Sequence, residues 1–127
     1  MMNRYSQSPV VLLVEDELIV RMAAADDLQD AGFHVLEAAN ADVALAVLES
    51  CSDDVQVLFT DIDMPGSMNG LDLAENVQQR WPHISLLISS AYQRPHPRQL
   101  PVEGRFVPKP YCSEDVVQQI RDLVTSH

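Results

Sequence analysis

Val10-Val11-Leu12-Leu13-Val14-Glu15-Asp16-Glu17 is the stretch that decides how this chain folds. Five apolar residues in succession, without alternation, are the pattern of a strand buried on both faces. Three acids then end the run. Such a strand implies a parallel sheet between helices, and the rest of the chain follows suit. Glu17 to Ala31 carries Leu18, Met22, Ala25 and Leu28 at helical spacing, and Gly32 stands where a helix-ending glycine belongs. Phe33 to Ala38 reads as a second strand. Asn40 can cap a helix whose apolar stripe is Ala44, Leu45 and Leu48. Val55 to Thr60 is a third strand that ends at Asp61, and a loop from Met64 to Gly70 leads into a helix from Leu71 to about Arg80, stopped by Trp81-Pro82.

Ile84 to Ser89 is a fourth strand. Gln93 to Pro101 contains Pro95, Pro97 and Pro101, which forbid a long regular helix there. Arg105 to Val107 is a short fifth strand before Pro108-Lys109-Pro110. Ser113 caps a last helix with the stripe Val116, Val117, Ile120, Leu123 and Val124, and Glu114 and Asp115 lie in its first turn, where the helix dipole favours anions. Five strands alternating with helices specify an α/β fold: a doubly wound parallel sheet covered on both faces. Residues 1–9 read as a lead-in and 10–127 as one domain, with no repeat or linker.

Composition narrows the partners. Eight basic residues against 19 acidic ones give a formal net charge of −11. That argues against direct nucleic-acid binding, which needs clustered Lys and Arg, and against an anionic membrane surface. The apolar run from Val10 to Val14 is too short for a signal segment or a membrane span. Cys51 and Cys112, both read at helix ends, make neither a disulfide framework nor a metal site. A cytoplasmic chain with reduced thiols is expected.

In doubly wound sheets ligands bind outside the carboxyl ends of the strands. Glu15 and Asp16 follow strand one, Asp61 and Asp63 follow strand three, Ser89 and Ser90 end strand four, and the single lysine, Lys109, follows strand five. Strands one and three are expected neighbours, so Glu15, Asp16 and Asp61 should converge. Two carboxylates about 4 Å apart repel by roughly 4 kcal/mol at an effective dielectric near 20. Three together call for a cation or a raised pKa. Oxygen ligands without His or Cys point to a hard ion, and a shallow site with water suits Mg²⁺ better than Ca²⁺. Taken singly, Asp16 reads equally well as a cap of the first helix, and Lys109 as a surface lysine. Together at equivalent strand ends they do not.

These residues carry a resemblance. Val11-Leu12-Leu13-Val14-Glu15-Asp16-Glu17, Leu58-Phe59-Thr60-Asp61-Ile62-Asp63-Met64-Pro65-Gly66, Leu87-Ile88-Ser89-Ser90-Ala91 and Phe106-Val107-Pro108-Lys109-Pro110 together resemble a response-regulator receiver domain of two-component signalling, over about Val10 to Leu123. The resemblance implies a flavodoxin-like strand order 2-1-3-4-5. It implies that Asp61 accepts a phosphoryl group from the phosphohistidine of a histidine kinase or histidine phosphotransfer protein. Mg²⁺ would be held by Asp16, Asp61 and the main-chain carbonyl of Asp63, with Glu15 holding a water on the ion. Lys109 would contact Asp61 before phosphorylation and a phosphoryl oxygen afterwards, and its bond to Pro110 would be cis. Ser90, with Ser89 as the adjacent alternative, would be the switch hydroxyl, and Phe106 the switch aromatic. Asp63 and Tyr92 occupy positions that tune acyl-phosphate hydrolysis. Phosphorylation would change a protein-interaction surface; the chain would catalyse only its own phosphorylation and dephosphorylation.

Two departures from the family pattern stand out. The loop Pro65-Gly66-Ser67-Met68-Asn69-Gly70 has one residue more than the commonest form, which should widen it. The proline-rich Gln93–Pro101 falls where the family's fourth helix lies, so that helix is expected to be short or irregular, mobile, and unsuited to a dimer contact. Two other readings compete. A pseudo-receiver, a non-phosphorylated interaction module, would lack the acceptor, an acid or the lysine. A haloacid-dehalogenase-type phosphatase would match Asp61-Ile62-Asp63, but Pro65 stands where that pattern asks for Thr or Val, and the chain is small for core plus cap.

Overall fold

A computed structural model describes residues 8–66, 68–91 and 104–125. The parallel sheet contains β1 (Val10–Val14), β2 (His34–Ala38), β3 (Val57–Asp61), β4 (Ser85–Ser90) and β5 (Arg105–Pro108) in the order β2-β1-β3-β4-β5. The helices described are α1 (Leu18–Asp30), α2 (Ala41–Cys51), α3 (Gly70–Arg80) and α4 (Ser113–Thr125), with a 3₁₀ turn over Ser52–Asp54. The doubly wound α/β reading and its strand order therefore hold. Residues 93–101, and with them the expected irregular fourth helix, lie outside the described residues, as does Tyr92.

Every residue of β1, β3 and β4 is buried, as unbroken apolar runs require. Alternation divides them between two cores. Val10, Leu12, Val14, Leu58, Leu86 and Ile88 pack with Ala44 and Leu48 of α2 and Leu73 and Val77 of α3. Val11, Leu13, Val57, Phe59 and Leu87 pack with Ala25 and Leu28 of α1 and Val116, Ile120 and Leu123 of α4. The sheet is thus closed on both faces, and its chemistry is confined to its ends.

The boundaries carry local reasons. Gly32 adopts φ +98° and its N–H bonds the Gln29 carbonyl, ending α1 as foreseen. Asn40 caps α2 through Val43 N–H at 2.8 Å. Several expectations are corrected. Phe33 belongs to the turn after α1, its N–H bound to Leu28 O, so β2 starts at His34. The turn over Ser52–Asp54 takes Val55 N–H, which delays β3 to Val57. Asn69 and Asp72 form a reciprocal capping box, so α3 starts at Gly70 rather than Leu71. Ser113 is the first residue of α4 and not its cap: the carbonyl that takes the Asp115 and Val116 N–H groups belongs to Cys112.

The α1 stripe is also corrected. Ala24, Ala25 and Leu28 are buried, but Leu18 and Met22 are 55% and 51% exposed, and Ile19 is 76% exposed. The first turn of α1 rises at the carboxyl end of the sheet, and the burial is all in the second half of the helix. Of the two thiols, Cys51 ends α2 half-buried and Cys112 is exposed; both are free.

Candidate functional site

The site forms where β1, β3, β4 and β5 run out. Val14 and Thr60 are register partners, which sets Glu15 and Asp16 beside Asp61. Carboxylate oxygens of Glu15, Asp16 and Asp61 lie within 4.8 Å of one another, so the expected convergence occurs. Glu15 and Asp61 are only 3% and 5% exposed, whereas Asp16 faces solvent. Asp16 is not a cap: the N-cap position of α1 is Glu17, and no side chain bonds the helix start there.

Lys109 enters from the far side. It follows β5, its N–H bonds Ser90 O, and the Lys109–Pro110 bond is cis, as foreseen. Its Nζ lies 3.5 Å from Asp61 Oδ2, the expected contact, but its shorter bond is to Glu15 Oε1 at 2.5 Å. The glutamate side chain, one methylene longer than aspartate, reaches across the pocket. Glu15 Oε2 accepts the Glu17 N–H at 3.2 Å, so both oxygens of Glu15 are engaged.

Asp61 differs. Burial is the main influence on it and pushes its pKa up to about 6; Lys109 and the Asp63 N–H pull it down, and the charges of Glu15 and Asp63 push it further up. Its Oδ1 is buried without a hydrogen-bond partner. A buried carboxylate oxygen left unpaired costs free energy, and here it sits among three acids at the mouth of a sheet. That donor set, oxygen only and without His or Cys, fits a hard divalent ion such as Mg²⁺. For Lys109, burial opposes the charge, yet the hydrogen bond it donates to Glu15 and the fields of Asp61 and Glu15 prevail and raise its pKa.

The remaining expected residues also sit at this end. Ser90, 2% exposed, donates its hydroxyl to Asp63 Oδ2 at 2.5 Å. Ser89 is equally buried, and its carbonyl takes the Ile62 N–H. Phe106 is half-buried, opposite Ile88 in the register, against the α2/α3 core. The loop after β3 leaves a cavity of about 70 Å³ against the start of α2, lined by Asn40, Asp42, Pro65, Gly66 and Met68 among others.

Sequence reasoning overlooked four features. Tyr111, directly after Lys109-Pro110, packs its ring 5.6 Å from that of Phe59, and burial raises its pKa within the field of Lys109. Arg21 donates to Glu15 O at 2.8 Å and to Glu37 Oε1 at 3.2 Å, tying α1 to the ends of β1 and β2. It is the sole cation of α1, one turn past Glu17, and that spacing was the available signal. Gly70 lies so near Asp61 that an added Cβ would stand 2.1 Å from Asp61 O. The Asp63 side chain, overlooked as a partner of Ser90, is the fourth.

Known proteins resemble this chain over most of its length. The chain is 33% identical over 122 residues to the sensor kinase CckA of Brucella abortus, covering 94% of this chain and 13% of that protein. It is 32% identical over 119 residues to the C4-dicarboxylate transport transcriptional regulatory protein DctD of Rhizobium meliloti, covering 91% of this chain and 25% of that one. It therefore spans a quarter or less of the length of these two relatives. Among solved structures, the receiver domain of the hybrid histidine kinase CckA superposes with a TM-score of 0.79 at 28% identity, over 91% of this chain and 98% of that one. A CheY-like receiver domain protein from Methanospirillum hungatei has a TM-score of 0.83 at 21% identity, over 94% and 95% of the two chains, a likeness of fold. The family model for the response regulator receiver domain matches residues 11–121, nearly all of the sheet and its helices, and the chain accordingly belongs to the response-regulator receiver family.

Proposed function

We propose that Asp61 is the phosphoryl acceptor of a phosphorylation-switched signalling receiver, and that a histidine kinase or histidine phosphotransfer protein is the donor. One observation supports this above the others: Asp61 Oδ1 is buried and unpartnered, between Lys109 on one side and the carboxylates of Glu15 and Asp16 on the other. Such an oxygen is a nucleophile poised for an electrophilic phosphorus. Oδ1 attacks the phosphorus of phosphohistidine, the P–N bond breaks, the electron pair returns to the imidazole, and an acyl phosphate remains on Asp61.

Phosphoryl transfer depends mainly on position and charge neutralisation. Asp16, Asp61 and the main-chain carbonyl of Asp63 would hold Mg²⁺, with Glu15 beside them. When bound, the ion offsets the negative charge that gathers on the transferring group. Lys109 Nζ, already between Glu15 and Asp61, turns to a phosphoryl oxygen. The Ser90 hydroxyl moves to another, and Phe106 follows it inward, altering the surface presented to a downstream protein. We place the chain in the cytoplasm with its kinase, and assign it no turnover beyond its own phosphorylation and dephosphorylation. No helix among the described residues is long and apolar enough to cross a membrane.

The test is acetyl phosphate with Mg²⁺, followed by intact mass. One phosphoryl group per chain should add, and Asp61→Asn should abolish it. Addition that persists in Asp61→Asn, or continued turnover of the donor beyond that expected from acyl-phosphate hydrolysis, would overturn the assignment.

A further inference from the structure

Ser90 has one hydroxyl proton to donate, and in this structure it goes to Asp63 Oδ2 at 2.5 Å. The bond joins the end of β4 to the loop after β3, across 27 positions of sequence. Ser90 is 2% exposed, so water does not freely replace Asp63 as the acceptor of its hydroxyl. A hydrogen bond to a carboxylate is roughly twice as strong as one between neutral groups. The same proton cannot serve a phosphoryl oxygen on Asp61 at the same time. A phosphoryl group would also bring about two negative charges toward the Asp63 carboxylate, which already acts on Asp61 through its field.

We propose that Asp63 is a positioning residue that holds the Ser90 hydroxyl in the unphosphorylated arrangement, so that phosphorylation must break this bond before the switch can close. The inference rests on Asp61 being the acceptor. Asp63 therefore has two separate parts: its main-chain carbonyl belongs to the ion site, and its side chain competes with the phosphoryl group for Ser90. The competition makes the resting state the default and the activated state harder to reach.

Beryllofluoride, which binds a carboxylate oxygen as a phosphoryl mimic, reads this directly by calorimetry at fixed Mg²⁺. Asp63→Ala removes the competing acceptor, and Asp63→Asn keeps its shape but removes its charge; both lie at a half-exposed loop position. Asp63→Ala should tighten beryllofluoride binding about tenfold, the scale of a hydrogen bond to a charged group, and Asp63→Asn should fall between it and the parent. In a Ser90→Ala background the gain from Asp63→Ala should shrink to about threefold or less, the part due to charge repulsion alone. Equal gains in the two backgrounds, or no gain in either, would overturn the proposal. If the parent chain takes neither beryllofluoride nor phosphate from acetyl phosphate, it is the acceptor assignment that fails. If the parent takes both and the gains are equal, only the role of Asp63 fails.

Discussion

A carboxylate at the end of a central strand is costly to keep charged, and Asp61 shows how large the cost is. Folding raises its pKa from 3.8 to about 6 because it is buried. Folded Asp61 thus binds its proton more tightly than the unfolded chain does. The penalty is absent below about pH 4, grows as the pH rises, and is complete above about pH 6. Asp61→Asn should therefore stabilise the metal-free protein at pH 7 by up to about 3 kcal/mol, and denaturant unfolding should show the gain disappear below about pH 4. A gain that stays constant with pH would mean that burial of the charge is not its origin. The acids and Lys109 were legible at this scale because each follows an apolar run. Which carboxylate Lys109 bonds more closely was not, because that depends on the reach of Glu15 across the pocket. The Asp63–Ser90 bond was hidden for the same reason: nothing in either residue's neighbourhood in sequence announces the other.

Elements are held to this site by contacts that permit little variation. Gly70 starts α3 with its N–H bonded to Ile62 O at 3.1 Å, and a side chain there would run into Asp61 O and the Ile62 Cα. Gly70→Ala should destabilise the fold by about 2–3 kcal/mol, since the obstacle is backbone that must shift, and should slow labelling by acetyl phosphate more than Leu71→Ala does. Thermal unfolding and mass spectrometry would read the two effects; unchanged stability would show that α3 can slide away from β3. Asn69→Ala, which dissolves the capping box, should cost about 1 kcal/mol by urea titration. Helices were legible where stripe and cap agreed, as in α2, and in α4 the stripe alone sufficed although its expected cap was one residue off. They were misread where periodicity continued beyond the cover available: Leu18 and Met22 keep the spacing of the α1 stripe, yet stand at the sheet's end with solvent beyond. Strand starts slipped by one or two residues at Phe33 and Val55, where turn hydrogen bonds claimed residues whose side chains suit a strand.

The whole molecule carries a charge of −11, so any salt should relieve its self-repulsion. A specific ion site predicts more. At a hundredfold excess over its dissociation constant, Mg²⁺ should add about 2.7 kcal/mol of stability by mass action, visible as a higher Tm that EDTA reverses and that NaCl of equal ionic strength does not reproduce. Asp16→Ala should reduce the shift, and an undiminished shift in that variant would assign it to general screening. The sheet itself has a further consequence. Its central strands serve two cores at alternate positions, with Leu58 on one side and Val57 and Phe59 on the other. Inserting or deleting one residue within β3 would exchange the two sets and turn Asp61 out of its place together with them. Pro65, Gly66 and Met68, in the loop that follows, lie in no strand. Change in length during evolution, or in the laboratory, should be absorbed there and fatal a few residues earlier.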